Sequence, residues 1–137
     1  MKKLLLISLL FIACQNTTSN QTIAERLSNV ESDRNQRGEI IDRIISELKE
    51  NYQFPMDLGQ GISMINIFNE QNRYFVYVYD VEPNSEAIKY ITKTSLISDM
   101  RAANGFDFAK SNDIIMVWRY FTGLDEIKEI IIEPFEM

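Results

Sequence analysis

The chain has 137 residues, with 14 lysines and arginines against 20 aspartates and glutamates, and a net charge of −6 at neutral pH. That length suits one ordinary domain with its own core, and the acidic balance argues against nucleic acid as a partner. It has no histidine and a single cysteine, Cys14, which removes the commonest general base, the commonest zinc ligand and any disulfide within the chain.

The chain opens with Lys2 and Lys3, continues with an apolar run from Leu4 to Ile12 broken only by Ser8, and places small Ala13 before Cys14. A positive start, a short apolar stretch and a small residue at the cleavage point are the parts of an export signal. A membrane-spanning helix needs about 20 apolar residues, roughly twice this run. The segment resembles the lipobox of bacterial lipoproteins, with Phe11 standing where leucine is usual. The resemblance implies that residues 1–13 are removed and that Cys14 becomes the lipidated first residue, carrying diacylglycerol and often a palmitate-like N-acyl chain. Two or three acyl chains hold a protein on a bilayer where one does not. Gln15, and not aspartate, follows Cys14. In diderm bacteria the sorting rule for such proteins then implies the periplasmic face of the outer membrane over the inner membrane. Loss of the two cations Lys2 and Lys3 moves the charge from −6 to −8, so lipid and not charge would do the anchoring. Residues 14–21 form a polar tether and residues 22–137 a single domain. An ordinary secretory signal with an incidental cysteine and a buried apolar helix are the competing readings of the same run.

Thr22-Ile23-Ala24-Glu25 fits a helix-capping box. The helical pattern runs to about Asn51. Ile23, Leu27, Val30, Ile41, Ile44 and Leu48 follow alternating spacings of four and three once Arg34 and Arg37 are admitted to the stripe. Gly38 and the two arginines weaken its middle, which predicts either one bent helix or a frayed first half and a firm half from Glu39 to Glu50. A coiled-coil seam is one use of such a stripe; the few heptads favour an amphipathic helix lying on a sheet. Phe54-Pro55 ends the helix. Gly59-Gln60-Gly61 reads as turn chemistry, since no Lys-Ser/Thr of a phosphate loop follows. Strands are predicted over Ile62 to Phe68 and Arg73 to Asp80, a helix over Ser85 to Asn104 with Gly105 as its stop, and strands over Ile114 to Phe121 and Glu126 to Glu133. The expected fold is α+β, in the order α-β-β-α-β-β, with an antiparallel four-stranded sheet and its helices packed on one face.

Alternation divides the strand residues between two faces. Tyr74, Val76, Val78, Ile115, Val117, Phe121, Ile130 and Ile132 form an aliphatic set, assigned to the helix-covered core. Phe75, Tyr77, Tyr79, Met116, Trp118 and Tyr120, with Arg73 and Glu129 nearby, form an aromatic set. Tyrosine, tryptophan and mixed charge are the composition of contact surfaces, so Arg73, Phe75, Tyr77, Tyr79, Met116, Trp118 and Tyr120 are the candidate partner-binding residues. The alternative is that the aromatic set is itself core.

Asp57, Asp80, Asp107, Asp113 and Asp125 fall at loops and strand ends, where aspartate forms turns. Asp107 to Asp113 lacks the ligand spacing of a calcium loop, and no serine sits in a nucleophile elbow. The expectation is a non-enzyme with no cofactor or bound metal. Its partners would be a membrane, through Cys14, and a protein. The function read from this is a membrane-anchored binding or accessory module of the cell envelope. The alternative is an immunity or inhibitor lipoprotein that neutralises a toxin or enzyme through its acidic surface.

Three stretches carry a wider resemblance: Phe54-Pro55-Met56-Asp57, Arg73-Tyr74-Phe75-Val76-Tyr77-Val78-Tyr79, and Tyr120-Phe121-Thr122-Gly123-Leu124-Asp125-Glu126-Ile127. In these the chain after Glu39 resembles a group of small exported bacterial proteins that includes a quorum-sensing-regulated virulence factor. Many members of that group resemble one another in having two cysteines, one near the end of the second helix and one near the C-terminus. Here those places carry Ala102-Ala103 and Phe135-Glu136-Met137.

Overall fold

The computed structural model describes residues 22–137. The signal segment, Cys14 and the tether to Gln21 lie outside the described residues. The described residues divide into two units, the first ending at Asp33 and the second running from Arg34 to Met137.

In the first unit the capping box forms as expected. The Glu25 N–H donates to Thr22 Oγ1 at 3.2 Å, and the Thr22 N–H donates to Glu25 Oε2 at 2.8 Å. Helix α1 (Ile23–Asn51) starts there and is continuous.

In the second unit α1 buries Ile41 and Ile45, with Ile40, Ile44 and Leu48 packed beside them. Arg34 and Arg37 have local work. Arg34 Nε donates to the Gln71 carbonyl at 3.4 Å and Arg37 Nε to the Asn72 carbonyl at 3.0 Å, so both satisfy acceptors of a tight turn. Gly38 lets helix and turn approach, since a Cβ there would lie 2.3 Å from Asn72 Oδ1. Then follow strands β1 (Met56–Asp57), β2 (Ile62–Glu70) and β3 (Tyr74–Val81), a 3₁₀ turn at Ala87–Lys89, helices α2 (Lys93–Ala102) and α3 (Asp107–Ser111), strands β4 (Ile115–Thr122) and β5 (Asp125–Ile132), and a last 3₁₀ turn at Pro134–Glu136.

The fold is α+β, with one five-stranded sheet in the order β1-β2-β3-β4-β5. Two features differ from the expected four-stranded antiparallel sheet. The two-residue β1 adds a strand too short to show alternation, and β3 pairs with β4 in parallel. Both hairpins, β2–β3 and β4–β5, are antiparallel. The parallel pair is possible because residues 82–114 are long enough, and helical enough, for a crossover. The helix expected over Ser85–Asn104 is broken. Thr92 Oγ1 accepts from the Ser95 N–H and Ser95 Oγ accepts from the Thr92 N–H, a second capping box that starts α2 afresh.

For β3 and β4 the two faces of the sheet are the reverse of the expected assignment, whereas Ile130 and Ile132 of β5 lie in the helix-covered core as expected. Phe75, Tyr79, Met116, Trp118 and Tyr120 are buried with Ile41, Ile45 and Ala109 in the main cluster, together with Ile130 and Ile132. The opposite face holds a smaller cluster of Val76, Ile115 and Val117, with Phe68, Tyr74 and Val78 around it. The physical reason is volume. A helix layer stands about 10 Å from a sheet, and large rings fill that gap better than valines do.

Candidate functional site

The structure brings the sequence-predicted aromatic residues together, but as core and not as an exposed contact face. Phe75 and Met116 are 0% exposed, Tyr120 2%, Trp118 3% and Tyr79 6%; Tyr77 is mostly buried. The parallel register pairs them across β3 and β4 as Phe75 with Met116, Tyr77 with Trp118, and Tyr79 with Tyr120. Tyr77 and Trp118 stack at 5.4 Å between ring centroids, and Tyr79 and Tyr120 at 4.7 Å. Arg73 lies just before β3 and outside this ladder. Its guanidinium reaches Asp113 at 3.3 Å, and Arg37 reaches the same carboxylate at 3.6 Å.

The end of the ladder borders an open groove. Tyr79 and Tyr120 form the floor of a groove of about 420 Å³. One wall is Leu58, Gly59, Gln60 and Ile62; the other is Ala87, Tyr90, Ile91, Ser95, Leu96 and Asp99. The first wall is held in shape by its own backbone. Gly59, Gln60 and Gly61 all adopt positive φ, at 83°, 56° and 76°, which two glycines make tolerable. The Gly59 N–H donates to Asp57 Oδ1 at 2.8 Å, and Ser85 Oγ donates to the Gln60 carbonyl at 2.7 Å. The second wall is pinned from β5, where Lys128 Nζ donates to the carbonyls of Ile88 at 2.6 Å and Ile91 at 2.8 Å.

The floor is uncharged. Burial pushes the Tyr120 hydroxyl up to about 12. Tyr79 is raised further, first by burial, then by its neighbours Tyr120 and Tyr77, with a Trp118 hydrogen bond acting the other way. Burial likewise raises Tyr77. Asp99 is the one charged residue of the lining. Tyr90 and Leu58 stand at the rim, 78% and 50% exposed. The groove therefore offers apolar surface, neutral hydroxyls and a single carboxylate. That combination suits an apolar side chain with a cation beside it. Sequence reasoning found Tyr79 and Tyr120 but missed the walls, whose only signals are Gly59-Gln60-Gly61 and a tyrosine at position 90 in a polar stretch.

On the other face, Arg119 organises the polar groups. Its guanidinium donates to both Glu70 oxygens, at 3.3 and 3.0 Å, and to Glu129 Oε2 at 2.8 Å. Those carboxylates hold the guanidinium in its charged form and raise its pKa. Arg119 pairs with Val78 and Glu70 with Tyr74, so the bridge crosses β3 over Val76, which is 0% exposed.

No family model matches the chain, and no curated protein matches it. Solved structures do share the fold. The crystal structure of PA3611 from Pseudomonas aeruginosa, provisionally described as a secreted protein, superposes with a TM-score of 0.63 at 8% identity. It covers 76% of this chain and 95% of that one. The pilotin EpsS of the Vibrio vulnificus type 2 secretion system superposes with a TM-score of 0.53 at 7% identity, covering 77% of this chain and 96% of that one. At such identities the likeness is one of fold. Among the described residues no helix is long and apolar enough to cross a membrane.

Proposed function

We propose that this chain is a non-catalytic accessory protein of a bacterial cell envelope, held on a membrane through lipid on Cys14, which docks a protein partner in the Tyr79–Tyr120 groove. The groove carries the reading: it is open, floored by neutral aromatic rings, walled by the loop 58–61 on one side and by helical residues on the other, and marked by one acid. Its occupant is a partner segment that presents a bulky apolar side chain, with a lysine or arginine placed to meet Asp99. Two further observations support an envelope location. The N-terminal segment has the parts of a lipoprotein signal, and Gln15 after Cys14 favours the periplasmic face of the outer membrane. The fold is also that of a secretion-system pilotin and of a protein described as secreted.

The test is photocrosslinking in native membranes from a reactive residue placed at Tyr90, against one placed at Leu124, which is fully exposed on the β4–β5 turn. The expected product joins Tyr90, and not Leu124, to a peptide with an apolar residue next to a cation. Asp99→Arg should lower its yield severalfold, since it sets a like charge against the partner's cation at an exposed position of the lining. Equal crosslinking from both positions, or an Asp99→Arg variant with undiminished yield, removes the groove as the docking site. An envelope component as the captured protein supports the accessory role. A toxin or enzyme in its place turns the reading to an immunity protein.

A further inference from the structure

We propose that residues 23–30 of α1 form a seam through which two copies of this chain pair side by side, in parallel and in register. Ile23, Leu27 and Val30 are 77%, 64% and 65% exposed. Single exposed hydrophobic residues are ordinary. These three follow one another at spacings of four and three, which puts them on one helix face at the inward positions of a heptad. The Thr22–Glu25 capping box makes that face helical from its first turn. The next two positions of the same register are Arg34 and Arg37, and their guanidinium groups are engaged with the carbonyls of Gln71 and Asn72. The apolar seam therefore ends at Val30.

Charge selects the occupant. The register puts Arg26 immediately before inward Leu27 and Glu31 immediately after inward Val30. In a parallel, in-register pair these flanking positions meet across the seam, a residue on one helix against the residue five further on in the other. Arg26 of each copy then faces Glu31 of the second copy, giving two attractive pairs. Neither side chain has an ion-pair partner among the described residues. An antiparallel pair centred on Leu27 sets Arg26 level with Ser28 and Glu31 level with Ile23, and gains nothing from either charge. Parallel pairing also sends both N-termini the same way, as two anchors in one membrane require if Cys14 is lipidated as proposed above. A seam of three residues per helix is short, and short helices gain little in dilute solution. Confinement to a membrane raises the effective concentration that makes such pairing count.

The test uses the lipidated protein in vesicles. With Cys14 occupied by lipid, an introduced cysteine is the sole thiol. Leu27→Cys and Val30→Cys should each form disulfide-linked dimers roughly tenfold faster than Ser32→Cys on the outward face, because the seam holds like positions together. Arg26→Glu should slow the Leu27→Cys reaction, and adding Glu31→Arg should restore it. Equal rates at the three positions overturn the proposal, as does an Arg26→Glu variant that reacts at full rate. Dimers formed only when Ile23→Cys and Val30→Cys chains are mixed show an antiparallel arrangement and overturn it as well. The intact mass of the same samples reads the lipid on Cys14. Lipid without crosslinks removes the pairing alone; crosslinks without lipid, repeated with Cys14→Ser so that the introduced cysteine is still the sole thiol, keep the pairing and remove the membrane reading.

Discussion

The two faces of the sheet are both apolar at their centres, yet they are built from different side chains. Under the helices lie Phe75, Tyr77, Met116, Trp118 and Tyr120; on the other side lie Val76, Ile115 and Val117, ringed by Arg119, Glu70 and Glu129. Hydrophobicity alone does not tell these faces apart. Volume and charge do. The wide gap under a helix layer takes rings, while a thin aliphatic patch can be closed over by the stem of one long arginine. The aromatic residues, read from sequence as a binding surface, are mainly core. At Tyr79 and Tyr120 that core meets a groove walled on one side by α2.

The sharpest way to break this comparison is to remove a ring. Trp118→Ala should cost about 3–5 kcal/mol in denaturant unfolding, as large-to-small changes in a packed core do. With Tyr77→Ala added, the chain should not fold. If Trp118→Ala left stability unchanged and weakened only partner capture, the aromatic face would be a contact surface after all.

Alkaline pH should act next. The core holds these tyrosines neutral, and Tyr120 in the fold titrates at about 12 against 10.0 for a free tyrosine. A raised folded value means that the contribution is fully present below pH 10 and is lost as the pH rises towards 12. Tyr77 and Tyr79 are raised in the same sense. Stability by denaturant should therefore be flat from neutral pH to about 9 and fall beyond 10, with tyrosinate absorbance appearing together with unfolding. A rise in absorbance from these residues without unfolding would mean that water reaches the ladder.

Much of this was legible from local signals. Thr22 and Glu25 announce the start of α1, and the alternating runs of β2 to β5 sit within a residue or two of their expected bounds. What escaped is non-local. The parallel pairing of β3 with β4 is fixed by a crossover and not by either strand. The break before α2 depends on Ser95 acting where glutamate or glutamine is usual in a capping box. The groove joins loop 58–61 to residues 87–99, which no spacing connects. The face assignment, by contrast, had a readable sign. Arg119 shares parity with Ile115 and Val117, and an arginine under a helix layer would need its charge neutralised away from water. That one residue marks the aliphatic face as the wet one.

The same residue gives the smallest effect and the finest test of the comparison. Arg119 is 23% exposed in its side chain and meets two carboxylates, themselves 35% and 33% exposed. Solvent screens such pairs, so Arg119→Met, which keeps the stem and removes the charge, should cost only about 1 kcal/mol. Most of that loss should come from Glu70 and Glu129 left facing each other without a cation. Adding Glu70→Gln should then recover part of it, and high salt should shrink the gap between wild type and Arg119→Met. Arg119→Ala should cost more than Arg119→Met, since it also uncovers Val76 and Val117. If the two substitutions cost the same, the stem covers nothing, and the dryness of the aliphatic centre must come from its neighbours Phe68, Tyr74 and Val78 instead.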